Sequence, residues 1–146
     1  MVGGRRWFMA GLVFLVLFAA GHFGGFLLAF KDARRNPALA DLTRAMREHK
    51  SPLLGLSPSL LDFREYFSLN FSILLLLAAA LGFAAFSGSR DKASEIRTLS
   101  PVYVAAMVAL LGTSAWFSVV QGLISCLVIG ALFAVAWWRA CGPAGS

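Results

Sequence analysis

Apolar residues in this chain form three long blocks that are separated by two polar segments. The blocks cover residues 7–30, 67–87 and 101–138, and none of them contains Asp, Glu, Lys or Arg. Uncharged apolar runs of about 20 residues are typical of helices that cross a bilayer, whose hydrocarbon core is roughly 30 Å thick. The pattern therefore predicts several membrane-spanning helices.

The third block is too long for one span, because 38 residues would measure about 57 Å as a single helix. Its least apolar stretch lies at 116–122, so we predict a turn near 117–121. A break at Gly112-Thr113-Ser114 would leave only about 12 residues before it, too few to cross. The chain is thus predicted to be all-α, a single domain over 1–146 forming a four-transmembrane-helix bundle. Its spans are 7–30, 67–87, 101–117 and 120–138.

The polar segment 31–66 carries a helix signal of its own. Asn36-Pro37 is a typical helix start, since asparagine caps and proline fits the first helical position. Apolar residues then recur at helical spacing: Leu39, Leu42 and Met46. This predicts a short amphipathic helix at about 37–49, lying on the membrane surface between the first two spans. Ser57-Pro58 and Ser100-Pro101 repeat the starting pattern and predict the beginnings of the next two helices.

The N-terminus has features of an export signal. Arg5-Arg6 before an aromatic residue resembles a twin-arginine signal, and Ala19-Ala20-Gly21 has the small residues of a cleavage site. However, the apolar run of 24 residues exceeds the roughly 7–15 of a signal peptide, so we expect a retained first span. Basic residues divide almost equally between the two sides. Because Arg5 and Arg6 flank the first span, they favour both termini in the cytoplasm.

Composition agrees with a membrane protein, since 59% of residues are hydrophobic and 14% are charged. The net charge of +6 comes from basic residues beside the apolar blocks, which favours anionic lipid headgroups over nucleic acid as partners. Cys126 and Cys141 would lie about 22 Å apart on one helix, beyond disulfide reach. His22 could be one axial ligand of a haem, but the second histidine ligand would have to be His49, which lies on the loop. No metal site and no cofactor are expected.

Helices in lipid associate through small residues that allow close approach. Gly21 and Gly25 form such a pair in the first span. The last span has a row at i+4 spacing, namely Gly122, Cys126, Gly130 and Ala134. We expect both sets to pack against other helices.

Uncharged polar residues are concentrated in the half of the spans nearest the 31–66 segment. Facing inward, they would form a small ligand pocket from His22, Asn70, Ser72, Thr113 and Gln121, with a rim of Asp62, Arg64, Glu65 and Tyr66. In the alternative interpretation these groups bond their own helix backbones or lie at the interface, and Asp62 and Glu65 are solvated helix surface. A proton pump is disfavoured because no charged residue lies within a span.

Two stretches carry a family resemblance, Gly21-His22-Phe23-Gly24-Gly25 and the segment 61–72 that leads into the second span. With the four-span layout, they resemble a group of small uncharacterised bacterial four-helix membrane proteins and, more distantly, DoxX-like membrane proteins. The first resemblance implies a multi-pass protein of the bacterial inner membrane. The second implies an association with quinone or thiol redox chemistry.

Three functions stay open, and a non-enzymatic role is favoured. The protein could bind a small molecule or lipid, such as a quinone, in the polar pocket. It could instead be a structural or accessory subunit that docks a membrane partner or a second copy through its glycine and alanine rows. The third is a quinone-linked membrane oxidoreductase that uses His22. An inward His22 near Asn70 would favour the first function, and an exposed row of small residues would favour the second.

Overall fold

The computed structural model describes residues 2–33, 35–52, 56–116 and 119–142, with no account of side chains at 2–3, 29–33 and 121. Its helices are α1 (Val2–Ala33), α2 (Pro37–Glu48), α3 (Leu60–Gly88), α4 (Lys92–Trp116) and α5 (Val120–Cys141). Within the described residues every named element is a helix, so the predicted all-α class is confirmed.

Four of these helices, α1, α3, α4 and α5, are long and apolar enough to cross a membrane. The predicted set of four spanning helices is therefore confirmed by length and composition. The 32 residues of α1 and the 29 of α3 measure about 48 and 44 Å. Both exceed the roughly 30 Å hydrocarbon core, so their ends extend beyond the apolar blocks from which they were predicted.

The short helix α2 begins where the sequence predicted. The Asn36 side chain accepts a hydrogen bond from the Ala38 N–H at 3.1 Å, and Pro37 occupies the first helical position. The helix ends at Glu48, where the N–H of His49 still bonds to the Ala45 carbonyl. This confirms the short amphipathic helix between the first two long helices.

The starts predicted for the two following helices were wrong. α3 begins at Leu60 rather than at Pro58, because the backbone N–H and hydroxyl of Ser59 both donate to Asp62 Oδ2 at 2.8 Å. The Asp62 N–H donates back to the Ser59 hydroxyl at 3.2 Å. Such a reciprocal arrangement satisfies amide groups that a helix start otherwise leaves unpaired.

α4 begins at Lys92, so Pro101 lies inside the helix instead of at its start. Asp91 Oδ1 accepts hydrogen bonds from the N–H groups of Ala93 and Ser94 at 3.0 and 3.1 Å. This cap starts the helix nine residues early. Proline inside a helix removes its own N–H bond and crowds the carbonyl four residues earlier, yet α4 continues through Pro101.

The change from α4 to α5 falls between Trp116 and Val120, and Gly112-Thr113-Ser114 stays inside α4. Residues 117 and 118, the first two of the predicted turn, lie outside the described residues. On the far side, the Val119 N–H donates to the Ser114 carbonyl at 2.8 Å. The chain therefore leaves α4 and enters α5 within a few residues.

The chain divides into two compact units, one formed by Met1–Phe18 with Leu77–Ser146 and the other by Ala19–Leu76. The first unit has an aromatic centre made by four side chains on four helices. The ring of Phe8 lies 5.4 Å from Phe86 and 5.5 Å from Phe133, and Tyr103 stacks on Phe133 at 4.4 Å. Aromatic pairs at such distances each contribute about 0.5–1.5 kcal/mol beyond their buried area.

The second unit contains the end of α1, all of α2 and the start of α3. A short antiparallel bridge closes the segment between α2 and α3. The Leu60 N–H donates to the His49 carbonyl at 3.1 Å, and the Ser51 N–H donates to the Pro58 carbonyl at 3.0 Å. The end of α2 is thereby held at the first residue of α3.

Candidate functional site

His22 lies in the part of α1 that belongs to the second unit, and its side chain is half-buried. Its ring meets Phe71 of α3 edge to face, with ring centroids 5.0 Å apart. Among the described residues, neither ring nitrogen of His22 has a hydrogen-bond partner. The imidazole is thus packed on an aromatic ring while its polar atoms stay available.

The other predicted pocket residues bond to their own helices. The Asn70 amide donates to the Tyr66 carbonyl at 2.8 Å, and the buried Ser72 hydroxyl donates to the Ser68 carbonyl at 3.1 Å. In α4 the Thr113 hydroxyl donates to the Leu110 carbonyl at 2.9 Å. The alternative interpretation of the sequence expected such hydrogen bonds from polar side chains to the backbone of their own helix. These bonds occupy donors that a ligand would otherwise use.

The pocket that would join all five residues stays a prediction. His22, Asn70 and Ser72 belong to the second unit, whereas Thr113 and Gln121 belong to the first. The side chain of Gln121 lies outside the described residues. His22 faces the aromatic ring of Phe71, and the one hydrogen bond of the neighbouring Asn70 runs to its own helix.

The predicted rim residues lie on the first turns of α3 and have different surroundings. Asp62 is held in the reciprocal cap with Ser59. Arg64 and Tyr66 are exposed, and the Tyr66 ring meets its neighbour Phe67 edge to face at 5.6 Å. In the described part of the chain the one ion pair joins Arg44 and Asp41 at 3.9 Å, so Glu65 has no ionic partner there. The Asp62 carboxylate thus serves the helix start.

The small residues of α5 face α4. A Cβ at Gly122 would lie 2.5 Å from Ser114 Oγ, and one at Gly130 would lie 3.3 Å from Met107 Cβ. Cys126, between them, is 3% exposed, and Ala134 is half-buried. A larger side chain at these positions would push α4 and α5 apart, which is the geometry that small residues permit between helices in lipid.

Gly21 and Gly25 of α1 have no such neighbour. A Cβ at either position, or at Gly24, would meet nothing within 4 Å, and Gly21 and Gly25 are exposed. The expected packing of this pair against another helix therefore has no counterpart among the described contacts of the chain. Spacing alone shows that two glycines share a helix face, but it does not show whether that face points into the molecule or away from it.

Sequence reasoning missed two polar groups on α4. The Tyr103 hydroxyl donates to the Ala78 carbonyl of α3 at 2.6 Å. Ser100 is fully buried, and its hydroxyl has no hydrogen-bond partner among the described atoms. Tyr103 lies close to the start of an apolar block, and only the position of the neighbouring helix shows that its side chain reaches across to α3.

In the last turn of α3, the carbonyls of Phe86 and Ser87 accept hydrogen bonds from the Lys92 ammonium. The ammonium lies 4.9 Å from the centre of the Phe86 ring. A cation on the last carbonyls of a helix is favourable because the helix dipole places partial negative charge there. Among the described residues no three His, Cys, Asp or Glu side chains are placed to hold a metal ion.

No protein-family model, curated protein or solved structure matches this chain.

Proposed function

We propose that the protein is a non-catalytic membrane protein that pairs with a second copy of itself through the small-residue face of α1. The observation that carries this proposal is the open space beside Gly21, Gly24 and Gly25, where a Cβ would meet no atom of the described residues within 4 Å. A helix face with backbone at its surface lets another helix approach closely, which is a main source of helix association in lipid.

The position of this face on α1 supports an external contact. The buried side chains of the helix are Phe8, Leu12, Leu15 and Ala19. At 3.6 residues per turn, Gly21 and Gly24 lie on the opposite side. Leu28 continues the same face beyond the glycines and is more than half exposed. The surface on this side of the second unit is therefore a groove of glycines bounded by Leu28.

A second copy is the occupant that suits this groove. A twofold contact places the same patch on both partners, so the patch must not carry repelling charges. The stretch 7–30 contains no Asp, Glu, Lys or Arg. Two such faces can therefore meet without like-charge repulsion, and each glycine groove can receive the leucines of the other helix.

Disulfide trapping in native membranes tests the pairing. Gly21→Cys and Leu28→Cys, each in a Cys126→Ala, Cys141→Ser background, should give a cross-linked dimer on oxidation. Phe23→Cys is the matched control, because Phe23 is 42% exposed at almost the same depth but points away from the glycine face. Adding Gly21→Leu to Leu28→Cys should abolish the dimer without lowering the melting temperature, since a Cβ at position 21 meets no described atom within 4 Å.

Equal trapping at positions 21 and 23 would contradict the proposal, because it would report random collision. A product joining this chain to a different protein would also contradict it. A monomer at every position, with the fold intact by circular dichroism, would contradict pairing in any form.

His22 favours a second candidate function, the binding of a lipid or quinone headgroup. A half-buried imidazole in a spanning helix, without a hydrogen-bond partner among the described residues, offers a donor and an acceptor where water is scarce. Mass spectrometry of protein purified from native membranes should then find a co-purified molecule that is depleted in His22→Phe and retained in the surface control His49→Phe. Equal content in the two variants would sink this candidate.

A further inference from the structure

α2 leaves its apolar side uncovered. Among its twelve residues none is buried. Leu39 is 40% exposed and Leu42 is 56% exposed. Both lie on the apolar side of the helix, together with three further residues, Ala38, Ala45 and Met46. The described residues of this chain therefore leave much of this apolar side without the surface that it requires.

The side of α2 that the chain partly covers overlaps the apolar side along one edge, at Met46. Its partly covered residues are Ala40, Thr43 and Met46, spaced three apart. Leu42 projects away from that row by roughly a quarter turn. The helix therefore rests lightly on the protein along the edge that carries Leu39 and Met46, and it directs Leu42 away from that edge.

The connections of α2 determine where it can lie. It is linked through residues 34–36 to the end of α1, and the bond from the Leu60 N–H to the His49 carbonyl holds its other end at the start of α3. α1 and α3 are both long and apolar enough to span a membrane. Because both ends of α2 are attached to ends of such helices, α2 is held at the level of the membrane surface.

The charges beside α2 are mostly positive. Between Arg35 and Lys50 there are four basic residues (35, 44, 47, 50) and two acidic ones (41, 48), a net charge of +2. The ion pair of Arg44 with Asp41 spans 3.9 Å, and both side chains are more than 70% exposed. Such a pair contributes little, so the arginines stay available to an external anion.

We infer that α2 docks on an acidic phospholipid surface, with Leu42 at the boundary of the acyl chains and Arg44 and Arg47 among the phosphates. Amphipathic helices with basic polar sides bind membranes in this way, through apolar burial and attraction to anionic lipid. The inference rests on the spanning role of α1 and α3 and is independent of pairing through α1.

Spin labels on the full-length protein in lipid nanodiscs test the docking. Single cysteines at Leu42 and Arg44, in the cysteine-free background described above, carry a nitroxide. In nanodiscs containing phosphatidylglycerol, the label at 42 should collide mainly with oxygen, which concentrates in lipid. The label at 44 should collide mainly with a water-soluble nickel chelate. A label at 42 that collides mainly with the nickel chelate would overturn the inference. A label at 42 shielded from both reagents would also overturn it, because a protein partner would then cover this side.

The role of the arginines is tested with the label at 42. Arg44→Gln and Arg47→Gln should each lower the ratio of docked to undocked α2 by about fivefold in acidic nanodiscs. In nanodiscs of phosphatidylcholine alone they should have no effect. Asp41→Asn and Glu48→Gln are the matched controls and should not weaken docking. Equal behaviour of the arginine variants in the two lipid mixtures would overturn the assignment of acidic lipid as the partner.

Discussion

At the scale of single residues, the glycines of this chain differ in what surrounds them, although the sequence presents them alike. Gly82 of α3 lies against two side chains, Leu12 and Tyr103. Gly112 of α4 is exposed, and a Cβ there would meet nothing within 4 Å. Both glycines lie inside long helices, so the intrinsic helix propensity affects them equally and only packing separates them.

Gly82→Ala should therefore destabilise the protein, whereas Gly112→Ala should not. A Cβ at position 82 would lie 2.5 Å from both Leu12 Cδ2 and Tyr103 Oη. Tyr103 cannot easily move, because its hydroxyl bonds to the Ala78 carbonyl and its ring stacks on Phe133. Overpacking of this kind costs about 1–3 kcal/mol.

Unfolding of the two variants in mixed micelles, followed by circular dichroism, gives the measurement. Gly112→Ala should be as stable as the parent or more so, because alanine is favoured over glycine in a helix by roughly 1 kcal/mol. Equal stability of the two variants would show that the Leu12 and Tyr103 contacts do not restrict position 82.

At the scale of elements, helix starts decide how the polar segments are organised. Serine before proline predicted starts at Pro58 and Pro101, but the structure begins α3 at Leu60 and α4 at Lys92. In both cases an aspartate makes the cap, Asp62 through Ser59 and Asp91 directly. The Ser-x-x-Asp spacing at 59–62 is the sequence signature of such a cap, and it was the better signal.

Ser59→Ala should loosen the first turn of α3. The variant loses the hydroxyl that donates to Asp62 and accepts from its N–H, and loss of a capping side chain costs about 1 kcal/mol. Hydrogen exchange of the amides at 60–64 should become about fivefold faster. Ser57→Ala, at the start that the sequence predicted, should leave the exchange unchanged. Faster exchange in the Ser57 variant would contradict Ser59 as the cap.

At the scale of the whole molecule, four helices are long and apolar enough to cross a membrane, and four crossings would bring both termini to the same side. Lys50 lies between the first two of these helices and Arg90 between the second and third, so the two residues should face opposite sides. The flanking arginines of the first span favour cytoplasmic termini. We therefore expect Lys50 outside and Arg90 inside.

Cysteine labelling of intact cells measures this orientation. Lys50→Cys should react with an impermeant maleimide, and Arg90→Cys should react only after the membrane is opened. The buried Cys126 and the exposed Cys141 are replaced beforehand so that they do not contribute. The reverse pattern would show that the protein has the opposite orientation in the membrane. Reaction at both positions in intact cells would contradict four spans.

The sequence by itself determined the all-α class, the four helices of spanning length and the short helix α2. These features depend on the length of apolar runs and on capping within a few residues, which are local properties of the chain. The turn between α4 and α5 could be predicted for the same reason, since 38 apolar residues cannot form one span.

Only the tertiary structure decided which side of each helix is covered. Gly130 and Gly21 occupy similar i+4 patterns, yet a Cβ at the first would meet Met107 and a Cβ at the second would meet nothing. The polar residues Asn70 and Thr113 bond their own helices, whereas Tyr103 reaches the neighbouring helix α3. Each of these outcomes depends on how far a side chain lies from atoms remote in the sequence, and that distance is set by how the helices pack together.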